Sequence, residues 1–186
     1  MQGEVDLSKY NNDWYTVRIG ASRVKQLAWY LVNIIFFINP LNFNSSSKVW
    51  LLKLFGARMG RNVIIKPGVN IKYPWLLEIG DYSWIGEKTW IDNLTGVFIG
   101  KNVCISQGAM LLTGNHDYKK VSFNLMVSGI NLNDGVWIGA RSVVCPGVTC
   151  ETHAVLTALS VATSNLSSYK VYQGNPARVI RERTVE

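Results

Sequence analysis

Histidine is scarce in this chain of 186 residues: there are two, His116 and His153. A zinc site built on three imidazoles is therefore out of reach, and no metal is expected. Three cysteines, Cys104, Cys145 and Cys150, stand in no metal-type spacing, and their odd number excludes a closed disulfide framework. Ser106 and Ser128 are available to a serine hydrolase, but no Gly-x-Ser-x-Gly elbow exists to strain a nucleophile. The longest apolar stretch contains Asn33 and falls short of the roughly 20 residues a bilayer span needs. No charged n-region precedes an apolar core behind Met1, so no secretory signal is read and the cytoplasm is the expected compartment. Charged residues make up only 17% of the chain, against 48% hydrophobic, enough for one sizeable domain with a real core.

What is present is a six-residue repeat. Fifteen hexads open on Met59, Ile65, Ile71, Ile79, Ile85, Ile91, Ile99, Ile105, Leu111, Leu132, Ile138, Val144, Cys150, Leu156 and Ala162. Four residues after the opener stands Ser, Thr, Ala or Val in twelve of the fifteen, and Gly often follows the opener directly. A short fixed period marks a solenoid that buries one core by stacking. Here it predicts a parallel β-helix: the opener points inward, the small residue turns a corner, and Gly tolerates the backbone angles beside it. The openers group in threes, so about five triangular coils are expected over 59–166. All extra residues fall between coils, after Ile71, after Ile91 and in the long loop 113–131. Insertions on one edge of a solenoid often form its binding edge. This places Asp92–Gly96 one coil away from that loop.

The flanks differ from the repeat. Residues 1–72 hold ten Lys/Arg and three Asp/Glu, whereas 73–186 hold nine of each, so the leading segment carries the whole net charge of +7. Residues 22–38 read as a helix of bulky apolar side chains, ended at Asn39-Pro40. A second helix follows, with Ser45–Ser47 as candidate caps and Gly56 as its stop. Residues 1–58 are thus expected to cap the open first coil, or to lie in the plane of an anionic membrane surface, and the two are compatible. Basic residues without aromatic interleaving make nucleic acid the least expected partner. Residues 167–186 leave the coil, turn at Gly174-Asn175-Pro176, and are expected to end in a short helix over 177–183.

His153 lies three past an opener, on an outward face, and reads as a solvated surface residue. His116 stands in Thr113-Gly114-Asn115-His116-Asp117-Tyr118, where the coil opens into its long loop. Loops on rigid scaffolds carry function disproportionately, and a His is the default general base near neutral pH. Asp117 or a nearby carbonyl would fix its tautomer.

Hexads such as Ile138–Val143, followed by Cys145-Pro146-Gly147-Val148, together with the ending Gly174–Arg181, resemble the hexapeptide-repeat acyltransferases. Tyr73-Pro74-Trp75, Ile105–Ala109 and the His116 loop are similar to the colanic-acid O-acetyltransferase branch, a likeness that covers about 27–183. The resemblance implies a left-handed β-helix, a homotrimer, and acetyl-CoA bound in clefts between neighbouring subunits. It implies that His116 takes the proton from a sugar hydroxyl as that oxygen attacks the thioester, with Asp117 beside it. It makes Asn93 an acceptor-binding residue and an N–H near Gly139–Ala140 the oxyanion donor. It places Trp137, Gly139, Ala140 and Ala158 along the pantetheine arm, and Thr163 with Arg178 or Arg181 near the nucleotide. Where the family commonly reads Thr-Lys-Asp, this chain has Thr163-Ser164-Asn165; Arg178, Arg181, Arg183 or Lys170 would have to replace that Lys. The reading that follows is an acetyl-CoA-dependent O-acetyltransferase for a saccharide acceptor of cell-surface polysaccharide, one that a lipid could carry at the inner face of the membrane. A transferase for a small free acceptor and a non-catalytic scaffold are its rivals.

Overall fold

The computed structural model describes residues 3–186. From Arg58 onward, short parallel strands stack into three faces. The first face holds Arg58–Met59, Leu77–Ile79, Val97–Ile99, Ile130–Leu132 and Thr149–Cys150. The second holds Ile64–Ile65, Trp84–Ile85, Cys104–Ile105, Trp137–Ile138 and Val155–Leu156. The third holds Asn70–Ile71, Trp90–Asp92, Met110–Leu112, Val143–Val144 and Val161–Ala162. Each opener pairs with the opener one coil on: Met59 with Ile79, Ile65 with Ile85, Ile71 with Ile91. Ile65, Ile71, Ile85, Ile91, Leu111 and Ile138 are completely buried, each worth about 1.5–3 kcal/mol relative to exposure. The small residues are buried with them and satisfy corner carbonyls. Ser83 Oγ donates to Gly100 O at 2.7 Å, Thr89 Oγ1 to Gly86 O at 2.9 Å, and Ser142 Oγ to Thr157 O at 2.7 Å.

The glycines after the openers serve a different purpose from the one expected. Their φ angles are not left-handed; the close approach of the next coil excludes a side chain. A Cβ on Gly80 would lie 2.7 Å from the backbone of Gly100, and one on Gly139 2.4 Å from Ala158 N. The left-handed residues stand three past an opener instead: Asn62, Tyr82, Asn102 and Gly135 at one corner, Gly68, Lys88, Gly108 and Arg141 at the next, so that several of these angles are held by residues with side chains. Such angles cost about 1 kcal/mol or more each and persist because the stack over-determines them. His153 holds one of these corner positions at φ 59°. It is not a freely solvated residue: its ring stacks on Tyr169 at 4.8 Å, and its Nδ1 is buried without a hydrogen bond.

Two ends close the stack. Helices α1 (Asp13–Arg18), α2 (Arg23–Val32) and α3 (Ser45–Leu54) precede it, and α2 runs on through a π-helical turn at Asn33–Ile38. Trp29, Phe37 and Leu52 are buried over the first coil, as a cap requires. Side chains from these helices also complete the backbone bonding that a preceding coil would have supplied. Trp29 Nε1 donates to Ile71 O at 2.8 Å, Lys48 Nζ donates to Lys66 O at 3.0 Å, and Ile65 N–H donates to Ser45 Oγ at 2.7 Å. Burial of Lys48 pushes its ammonium pKa below the ordinary lysine value. Among the described residues no helix is long and apolar enough to cross a membrane.

At the far end the expected helix over 177–183 is a strand. Lys170–Gly174 adds to the second face in parallel, and Ala177–Glu182 folds back on it antiparallel. Alternating Val171, Val179 and Arg181 suit a pleated edge better than a helix face. Since Leu166 also bridges to Cys150, the solenoid has about six turns rather than five, and the segment after 166 belongs partly to it.

Gly80→Ala should destabilise the fold by about 1–3 kcal/mol through overpacking between coils. Gly3→Ala, whose Cβ would meet nothing nearer than 3.8 Å, should be neutral. Chemical unfolding midpoints of the two variants check this.

Candidate active site

The two tight corners repeat coil after coil; the third, between the third and first faces, does not. There the chain passes through Tyr73, Asn93 and Thr113, each two residues beyond an inward opener, so alternation carries each back toward the interior. Asn93 and Thr113 are completely buried. Asn93 Oδ1 accepts from Tyr73 N–H at 3.0 Å, and Asn93 Nδ2 donates to Tyr73 O at 2.6 Å. Thr113 Oγ1 donates to Asp92 O at 2.9 Å and receives Thr95 N–H at 3.3 Å. Asn93, expected to bind the acceptor, thus holds the Tyr73 backbone through both ends of its amide.

Beyond Thr113 the chain leaves the coil as a hairpin, Gly114–His116 paired antiparallel with Leu125–Val127. The His116 ring lies flat on Phe123 at 4.5 Å, with Tyr10 at 6.0 Å. Its Nδ1 is 2.9 Å from Phe123 O. A carbonyl can only accept, so Nδ1 carries a proton, and in the neutral ring Nε2 keeps its lone pair. Asp117 does not share this task. Its carboxylate pairs with Lys120 at 3.3 Å and receives Lys119 N–H, so it shapes the turn.

His116 lines a polar cavity of about 380 Å³ with Asp92, Lys72, Tyr73, Tyr15 and Asn115. Sequence reasoning missed four of these. Asp92 was legible from register, since it follows an inward opener and must face outward; Tyr15 comes from the far end of the chain and was not. Lys72 Nζ sits 3.2 Å from Asp92 Oδ1, close enough to pair in charge but not aligned, and that buried oxygen receives no hydrogen bond. The Tyr15 hydroxyl donates to Leu94 O at 3.0 Å. Burial raises the phenol pKa of both Tyr15 and Tyr73, with Asp92 adding to it, so both remain protonated donors.

A second cavity, of about 680 Å³, runs along the second face. It brings together Trp137, Gly139, Ala140, Ala158 and Arg181 of the expected cofactor residues, and adds Arg183. Trp137 is half exposed, and its Nε1 donates to Ser106 Oγ at 3.0 Å. Gly139 N–H is committed to Leu156 O at 2.7 Å, which makes Ala140 the better oxyanion donor of the pair. Thr163 and Arg178, expected near the nucleotide, lie outside this cavity; Arg178 Nη1 folds back onto Ala177 O. Burial raises the thiols of Cys104, Cys145 and Cys150, the last to about 12, so none is a nucleophile near neutral pH. Among the described residues no cluster of three or more His, Cys, Asp or Glu could hold a metal. The two cavities share no residue and belong to different corners of the prism.

No family profile matches the chain. It is 37% identical over 164 residues to WcaF of Escherichia coli K12, named as a colanic acid biosynthesis acetyltransferase, spanning 88% of this chain and 90% of that one. It is 34% identical over 137 residues to the galactoside O-acetyltransferase of the same organism, 71% and 66% of the two chains. A hexapeptide-repeat acetyltransferase of Vibrio cholerae, solved with acetyl coenzyme A, superposes with a TM-score of 0.78 at 22% identity over 96% of each chain. That likeness fixes the fold as the left-handed parallel β-helix.

Asn93→Ala removes both bonds to Tyr73 and should lower unfolding free energy by about 1–3 kcal/mol, the cost of stranding buried backbone groups. A contact made only to acceptor would leave the denaturation curve where it was.

Proposed function

This chain belongs to the hexapeptide-repeat acetyltransferases, and from that premise we propose that it moves acetyl from acetyl-CoA to a saccharide hydroxyl. The observation that carries this reading is the His116 ring, held through Nδ1 by Phe123 O beside a cavity of hydroxyl and carboxylate groups, so that the neutral ring leaves Nε2 free to accept a proton. Such a cavity suits a polyol: Asp92 can accept from sugar hydroxyls, and Lys72 and Asn115 can donate to them. The named relatives, one for colanic acid and one for galactosides, support a sugar over another alcohol.

The chemistry balances without a covalent enzyme intermediate. His116 Nε2 takes the hydroxyl proton as the oxygen attacks the thioester carbonyl. The Ala140 N–H stabilises the tetrahedral oxyanion, which collapses and breaks the C–S bond. The departing thiolate takes the proton back from the imidazolium. Trp137, Ala158 and Arg181 would line the pantetheine arm, with Arg181 and Arg183 supplying the positive charge that Ser164-Asn165 lack.

A thioester laid along the second face does not share a corner with His116 of its own chain. The site is therefore completed by a neighbouring copy, and a closed trimer is the assembly that does so for all copies alike. Leu27, Tyr30, Leu31 and Ile35 stand exposed on α2 and its π-helical extension, which suits peripheral contact with a membrane carrying the acceptor.

His116→Ala should lower turnover by about 100-fold or more while acetyl-CoA binding, measured by calorimetry, stays nearly intact. Turnover within a few-fold of the parent would remove His116 as the base. Light scattering should give about three times the chain mass of 20.9 kDa. Refolding inactive His116→Ala together with inactive Ala158→Trp should restore activity; no recovery would mean each chain works alone.

A further inference from the structure

The His116 cavity does not end at Asp92. A second groove, of about 440 Å³, meets it there: Lys72, Tyr73 and Asp92 line both. The two halves differ in chemistry. Around His116 the walls are hydroxyl, amide and carboxylate. Past Tyr73 one wall is α2, with Leu27 and Tyr30 about 60% exposed, and the other is Trp90 of the third face at 41%. Buried Trp29 and Ile71 form the floor, and Ile38 stands at the side.

These exposed side chains are not idle remnants of the cap. Capping is done by the inward face of α2 and its π-helical extension, through Trp29, Phe37 and Asn33, which reaches Asn70 at 2.7 Å. Leu27 and Tyr30 contribute nothing to that closure, yet they extend an apolar channel straight from the cavity where a sugar hydroxyl would meet the base. A polar pocket opening into an apolar trough is the shape of an amphiphile.

We propose that this groove seats an apolar tail attached to the acceptor sugar, so that the substrate is a glycolipid rather than a free saccharide. This rests on the acceptor reading of the His116 cavity. The tail lies between α2 and Trp90, and Tyr73, held by Asn93, marks the junction between tail and sugar. Each methylene buried there should tighten binding by about fourfold at most; an open trough realises part of this.

The probes are octyl and methyl β-D-glucopyranoside, titrated calorimetrically into the full-length protein below the detergent's micelle concentration. The octyl glycoside should bind at least tenfold more tightly than the methyl one. Leu27→Asp, at an exposed position, should cancel most of that difference, and His116→Ala should preserve it. Equal affinity for the two glycosides, or an octyl advantage that survives Leu27→Asp, would overturn the proposal, as would binding to lipid vesicles with none to the octyl glycoside. The measurement needs no turnover. Loss of the His116 mechanism would therefore leave the affinity difference standing, and equal affinities would remove the groove while His116-dependent transfer remained.

Discussion

A coil of a parallel solenoid has no interior of its own; its backbone and its apolar side are satisfied only by the coil above and the coil below. Everything else in this molecule answers to that constraint. Between coils the answer is repetition, opener on opener with glycine wherever backbone nearly touches backbone. At the first coil the neighbour is missing, and side chains stand in for it. Trp29, Asn33, Ser45 and Lys48 offer donors and acceptors to strands that would otherwise end in unpaired groups. Lys48 is the least expected of them: its amine is buried, desolvation lowers its pKa, and it donates to the Lys66 carbonyl with that of Ile65 beside it.

The same constraint explains where chemistry can reside. At the two tight corners an insertion, or a side chain in place of the glycines that the next coil nearly touches, would break the contact between coils. Only the third corner departs from strict period, and it keeps its shape through polar side chains turned inward, Asn93 and Thr113, in place of identical backbone turns. Freedom at that corner lets a hairpin emerge and carry His116 outward, while the stack beneath keeps it rigid. Phe123, from the loop just before the return strand of that hairpin, fixes the plane of the ring and bonds its Nδ1.

Much of this was legible in the sequence because period is a local signal. The hexad openers give the three faces, and the places where the spacing fails give the corner that bears the site. The backbone bonds of Asn93 were legible from its register: two residues past the inward Ile91, it had to turn in, and a buried amide seeks backbone partners. The segment after Asn175 was misread because a short run of Ala, Val, Ile and Arg suits helix and strand alike, and the neighbouring strand decided it. Tyr10 and Tyr15 lay beyond reach for another reason. Nothing local in a polar amino-terminal stretch says that Tyr15 will bond Leu94, 79 residues on, or that Tyr10 will meet the still more distant His116 ring.

The reversed strand at the end of the second face has a consequence for how copies of this chain can meet. An open parallel rung is a mould, and a second molecule could continue it indefinitely as a fibre. Ala177–Glu182 runs the wrong way for such growth, and Arg178, Arg181 and Glu182 give its outer rim mixed charge. Helices obstruct the other end. With end-on growth along this face obstructed, the flat sides of the prism are the surfaces left for self-association, the kind of contact that the proposed trimer would use.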